Sequence, residues 1–267
     1  MILDETFTLL KTRYKSLIEN LLITDIRMGA HLTAVKLSDN SYGVASTLTE
    51  NHFHCVKKNR DFDDFTPTKI RGQKVTELFE TSKKSNIIDT LRIAVLNAIS
   101  SEIITNSKYR ILENADPIDL IDFSLNRTIT VVGAFHSYIQ KIAETSNKLY
   151  VLELNEDSLK GDQKQFYVPA NEYNRVIPIS DVVIITGLTL VNSTIDGLLQ
   201  AISPQTQVIV TGPSSSIIPD VLFQNKVSII GATRITNPDM LFSVVSEGGT
   251  GFHLFKYCAQ KICILNE

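Results

Sequence analysis

The sequence is poor in several features that would place it in a class. Its 267 residues include three cysteines, Cys55, Cys258 and Cys263. That number is odd and too sparse for a disulfide framework, which points to a reducing compartment. Positive charge is not in surplus: 26 Lys and Arg face 29 Asp and Glu, for a formal net charge of −3. Neither nucleic acid nor an anionic membrane surface is therefore an expected partner. No apolar run approaches the ~18 residues of a membrane span. The opening Met-Ile-Leu-Asp-Glu lacks the basic start and apolar core of a signal peptide, so a soluble cytoplasmic protein is expected. The triplets Asn126-Arg-Thr128 and Asn192-Ser-Thr194 then have no glycosylation machinery to meet. Three chemical signatures are missing too: the Walker loop, the Gly-x-Ser-x-Gly elbow and the Gly-x-Gly-x-x-Gly dinucleotide fingerprint.

What is present is an ordinary globular balance, 43% apolar and 21% charged, in a length that suits two modest domains. In the first 21 residues Leu3, Phe7, Leu10, Tyr14, Leu17, Ile18 and Leu21 recur at helical steps. Three strands are expected next, Ile23–Met28, Leu32–Leu37 and Tyr42–Thr47, with turns at Gly29 and Ser38–Ser41, as an antiparallel meander. Helices are expected from Val75 to Lys84 and from Ile87 to Ile103, the latter with Ile88, Leu91, Val95 and Ile99 on one side. This is a small α+β domain over 1–112. A connection at 113–127 contains Ile118, Leu120, Ile121 and Phe123, which should be packed.

From Thr128 to the end the rhythm changes. Continuous β-branched runs at Thr128–Val132, Leu149–Leu154, Asp181–Thr186, Gln207–Thr211 and Val227–Ile230 read as strands buried on both faces. Helical stretches at about 136–146, 193–202, 217–224 and 238–246 separate them. Alternation of this kind gives an α/β, Rossmann-like parallel sheet over 128–267, with ligands bound beyond the carboxyl ends of its strands. The segment Asp157–Ser180 reads as a long polar loop.

Three strands end in Gly before polar residues: Gly133 with Phe135 and His136, Thr186-Gly187 with Thr189, Asn192 and Thr194, and Gly212 with Pro213, Ser214 and Ser215. Gly lets a ligand approach the backbone, and each loop is expected to open a helix whose free N–H groups favour an anion. Pro213 suits a first helical turn, with Ser214 or Ser215 as its cap. A β-branched residue at Gly212 is expected to abolish binding with little loss of fold. With Phe135 and His136 where the later fingerprint glycines belong, tight NAD binding is not expected.

His136, at a helix start, would be held neutral and able to ligate a metal or polarise a carbonyl, or else is a solvent-facing residue. Glu247, before Gly248 and Gly249, is either an exposed last-turn residue or a carboxylate aimed at the cleft, where it is the other metal candidate. His52, His54 and Cys55 form the most metal-like cluster, but they lack a second spaced pair, and a plain loop is the default. Cys258 and Cys263 are read as lying on different faces of one helix, with core packing as their role. No nucleophile–base–orienter set is legible.

The stretch Asp181–Thr194, the Thr211-Gly-Pro-Ser214 turn, Glu247-Gly-Gly249 and the entry Asp116–Asp122 leading into Val131–Phe135 together resemble a family described as putative heavy-metal chelation domain. Leu32–Leu37 and Gly72–Leu78 resemble the enolase-N-terminal-like domain that precedes it. The resemblance implies a cleft at the Rossmann-like sheet, binding of a metal ion or metal chelate, and a link to anaerobic cobalamin synthesis. Family members often have Pro where this chain has His136, so the resemblance gives His136 no role. It offers no counterpart of His52, His54 and Cys55. The leading expectation is therefore a binder of a small anionic ligand, metal ion or metal chelate. The alternative is a lyase or transferase acting on a phosphorylated or carboxylated metabolite, and a purely structural interaction protein is the third reading. A homodimer is compatible with any of them.

Overall fold

The computed structural model describes residues 1–48 and 61–266. The cluster His52, His54 and Cys55 lies outside the described residues. The chain opens with α1 (Ile2–Arg13) and α2 (Lys15–Ile18). The single helix expected here is interrupted at Tyr14, whose φ of −126° and ψ of 32° leave the helical region. Strands β1 (Ile23–Met28), β2 (Leu32–Leu37) and β3 (Tyr42–Ser46) form the expected antiparallel meander. Helices α3 (Val75–Glu80) and α4 (Asn86–Thr105) follow, and Ser85 caps α4 by accepting the Ile88 N–H at 3.2 Å.

Helix α4 is apolar on more than the one side read from the sequence. Ile88, Leu91 and Val95 are buried, but so are Ile93, Leu96, Asn97 and Ser100 on its other faces. A helix buried all round needs a partner on each side. One partner is the meander; the other is the second half of the chain.

That half builds an eight-stranded sheet. Its elements run β4 (Arg110–Glu113), β5 (Thr128–Val132), α5 (His136–Ala143), β6 (Lys148–Glu153), β7 (Tyr167–Pro169), α6 (Tyr173–Val176), β8 (Val182–Thr186), α7 (Leu188–Val191), α8 (Ile195–Gln200), β9 (Gln207–Thr211), α9 (Asp220–Gln224), β10 (Val227–Ile235), α10 (Pro238–Ser246), α11 (Gly251–Tyr257) and β11 (Ala259–Leu265). The spatial order is β4-β11-β10-β9-β8-β5-β6-β7. Strands β10 to β7 in that list are parallel, while β11 and β4 add an antiparallel edge.

Three strands depart from expectation. Strand β7 lies inside the segment read as loop. Strand β4 was not anticipated. The segment carrying Cys263 is strand β11, not helix. It pairs with β10 from Ile229 to Ile235, which is why β10 continues to Ile235 instead of stopping at Ile230. In the connection, Ile118 and Ile121 are buried and Phe123 packs beside them, whereas Leu120 is exposed.

Both described cysteines are core residues. The Cys258 thiol donates to the Leu254 carbonyl at 3.4 Å, and that of Cys263 to the Ala115 carbonyl at 3.3 Å. Burial pushes Cys258 up to about 11 and Cys263 up to about 12. The thiolate is the reactive form. Both residues should therefore resist iodoacetamide at pH 8 and react fully only in denaturant, as peptide mass spectrometry would read. Fast native labelling of either would contradict the packing.

Candidate functional site

Within the parallel strands the order β7-β6-β5-β8-β9-β10 is 3-2-1-4-5-6 when numbered from β5. The chain steps outward from β5 through β6 to β7, then returns to the other side of β5 as β8. The reversal point lies between β5 and β8, where open α/β sheets place their ligands. A cavity of about 540 Å³ opens there, reached by the ends of β5, β6 and β8 and by α7 and α8. Gly133 lines it with a φ of +104°, a conformation L side chains rarely adopt. Thr186, Thr189, Asn192 and Thr194 line it as the sequence suggests.

Their polar groups are largely engaged with one another. Thr186 Oγ1 accepts the Leu188 N–H at 3.3 Å, and Thr189 Oγ1 donates to the Thr186 carbonyl at 2.6 Å. Asn192 Oδ1 accepts from the Thr194 N–H and hydroxyl at 3.2 and 2.7 Å. These bonds set the loop shape and leave little donor capacity for an anion.

Two N–H groups at the helix start after β5 are taken. The N–H of Phe135 bonds the Gly133 carbonyl, and that of His136 the Ala134 carbonyl. His136 Nδ1 meets Gln163 Oε1 at 2.7 Å, and Gln163 Nε2 donates to the His136 carbonyl at 3.1 Å. Phe135 stacks on Tyr138 at 5.3 Å. Neither Phe135 nor His136 lines the cavity.

The third turn is not open either. No helix begins at Pro213; α9 starts only at Asp220. Ser214 Oγ accepts the Ser46 N–H at 2.8 Å, and the Pro213 carbonyl accepts from Asn97 Nδ2 at 3.1 Å. Ser215 Oγ lies 2.6 Å from both the Gly212 and the Gly231 carbonyls. Gly187 packs on the same turn, its N–H bonded to the Thr211 carbonyl at 2.7 Å. This turn is a joint between the two halves of the chain. Gly212 holds a φ of +127°, so a β-branched residue there strains the backbone whatever space it finds, and its first effect is on folding.

Two family models described as putative heavy-metal chelation match residues 116–264 and 12–100. The chain belongs to the putative heavy-metal chelation family. An uncharacterised relative from Methanocaldococcus jannaschii is 25% identical over 232 residues, covering 82% of this chain and 79% of the relative. A family structure of unknown function from Pyrococcus horikoshii matches with a TM-score of 0.78 at 22% identity, covering 100% of both chains. Another, from Desulfitobacterium hafniense, gives 0.73 at 16% identity over 98% and 99% of the two chains. These likenesses show the heavy-metal chelation family's fold.

Among the described residues no group of three or more His, Cys, Asp or Glu stands ready to hold a metal ion. Glu247 and Gly248 lie in a separate depression beside His253, at the junction of α10 and α11. His136 is tied to Gln163, so the two candidate metal ligands near the cleft do not meet. The cavity instead holds residues not singled out from the sequence: Glu153, Leu154, Asn171, Tyr173, Leu188 and Leu198. Glu153 had a legible signal. It ends the second strand, twenty residues after Gly133, where nucleotide-binding sheets place an acidic group. Also among the described residues, no helix is long and apolar enough to cross a membrane.

Proposed function

We propose that the switch-point cavity binds a small organic ligand, and that a heavy metal enters it as a chelate instead of a bare ion. The observation that carries this is the lining: one carboxylate, Glu153, with no imidazole, thiolate, ammonium or guanidinium among the lining residues. Borderline and soft metals seek nitrogen and sulfur ligands, which this lining does not supply. The metal would keep ligands it already has. Strong negative charge is not favoured, because Lys and Arg are missing from the lining and α7 and α8 have only 4 and 6 residues. A neutral or weakly charged chelate fits better than the anion expected from the sequence. The link to anaerobic cobalamin synthesis belongs to this proposal, since that chemistry handles cobalt in chelated form.

Calorimetry with zinc, cobalt and nickel, as free ions and as neutral bis-glycinate complexes, tests it. The complexes should bind at least tenfold more tightly than the ions. Ala170→Trp with Leu188→Trp should fill the cavity and abolish binding, while circular dichroism stays native. Free ions binding as tightly as complexes would overturn the reading. Binding that survives the filled cavity would overturn it too, and would move the search to His52, His54 and Cys55.

A further inference from the structure

Taking the cavity as a ligand site, as above, we infer that the part of the ligand it recognises is a ribonucleoside lacking a 5′-phosphate. Four observations converge on this class. First, the strand order 3-2-1-4-5-6 is that of sheets whose first and second strands face a ribose and a base.

Second, Glu153 closes β6 inside the cavity, at the position from which an acidic side chain takes the ribose hydroxyls. Its Oε1 accepts the N–H of Leu154 at 2.7 Å, which fixes the carboxylate at the strand end. An ionised carboxylate is an acceptor with about four lone-pair sites, so one backbone bond leaves capacity for both hydroxyls of a vicinal diol. Such bonds to a charged acceptor are among the stronger ones in proteins.

Third, the wall beyond Glu153 is largely apolar with one amide. Leu154 follows it on the rim, and Ala170 and Asn171 follow the neighbouring strand β7. An apolar wall with one amide at its edge offers a base a surface to lie on and a group that both donates and accepts.

Fourth, the turn where a dinucleotide puts its pyrophosphate has its first two N–H groups occupied and no cation beside it. The N–H groups of Phe135 and His136, at the entry to α5, are bonded to the Gly133 and Ala134 carbonyls, and Gln163 holds the His136 ring and carbonyl. No cationic side chain in the lining offsets a phosphate, and Glu153 opposes one. A nucleotide would bring charge that the site neither pairs nor solvates well. The 5′ end of a nucleoside would instead face Thr186 at the end of β8 and Thr189 and Asn192 of the α7 turn, all uncharged.

The test is calorimetric titration of the full chain with adenosine, guanosine, cytidine and uridine, then with the 2′-deoxy form and 5′-monophosphate of the best, and with NAD. At least one ribonucleoside should bind in the micromolar range. Its 2′-deoxy form and its monophosphate should each bind at least tenfold more weakly, and NAD at least as weakly as the monophosphate. In Glu153→Gln the ribose-over-deoxyribose preference should fall to within twofold, a change that a purely structural role for Glu153 would not produce. The inference is overturned if no ribonucleoside binds below 1 mM, if the deoxy form binds equally, or if Glu153→Gln keeps the preference. If bis-glycinate complexes bind and the filled cavity loses them while no nucleoside binds, this inference alone fails. If neither ligand binds, the chelate reading fails with it.

Discussion

Gly43→Ala should destabilise the protein by about 3 kcal/mol or more, at the upper end of what overpacking costs. Gly43 sits on β3 where that strand crosses α4. A Cβ there would come within 2.0 Å of the Ala94 carbonyl oxygen and 2.4 Å of the Ala98 nitrogen. Both are backbone atoms of a 20-residue helix buried on every side, so no side chain can rotate away. Either β3 retreats and breaks its register with β2, or α4 shifts against the large sheet. Urea denaturation of the variant beside Gly251→Ala gives the comparison. Nothing lies within 4 Å of a Cβ at Gly251, so that change should be near neutral. A Gly43→Ala loss under about 1 kcal/mol, within the ordinary range for a single substitution, would show that the strand and helix are less closely packed than described.

Cutting the chain between its halves should have a still larger effect. Fragments 1–109 and 110–267, made separately, should lack cooperative unfolding. They should regain it when mixed. The apolar core is shared: Leu91, Val95 and Ile99 of α4 belong to the same buried cluster as Val183, Ile185 and Val210 of the large sheet. A second cluster joins Leu32, Ala34 and Val44 of the meander to Leu241, Val244 and Val245 of α10. Polar contacts cross the same boundary. Ser100 Oγ accepts the Ile218 N–H at 2.9 Å, and Asn97 Nδ2 donates to the carbonyls of Val44 at 2.7 Å and Pro213 at 3.1 Å. Separation would expose both faces of α4 and the turn at Gly212, and buried polar groups left unpaired cost about 1–3 kcal/mol each. A sharp denaturation transition from either fragment alone, followed by circular dichroism, would refute the shared core.

The position of α4 also explains why the sequence was only partly legible. Its pattern of Ile88, Leu91, Val95 and Ile99 marks a helix, but a one-sided reading takes the remaining apolar residues as incidental. They are the second interface. The turn Gly212–Ser215 departs from its expected role for the same reason. Gly, Pro and Ser after a strand describe a helix start and an anion site equally well as a joint, and only the arrival of Ser46 and Asn97 decides for the joint. The run Ile262-Cys-Ile-Leu265 has strand chemistry, yet its partner β10 lies upstream across two helices, so nothing local separates it from a helix.

What the sequence determined by itself is what local periodicity can carry. The meander, the parallel strands β5, β6, β8, β9 and the first part of β10, and the turns at Gly133 and Gly187 follow from β-branched runs broken by glycine, because backbone preference and side-chain alternation act over a few residues. What only the tertiary structure decided is which of those turns stays open. His136 is taken by Gln163, twenty-seven residues away in the chain; Ser214 is taken by Ser46, one hundred and sixty-eight away. The strand reversal between β5 and β8 then leaves Glu153 with the threonines of β8 and α7 around a cavity at that edge. A side chain's availability to a ligand depends on every group that competes for it, and those competitors are set by the folded chain, not by its neighbours in sequence.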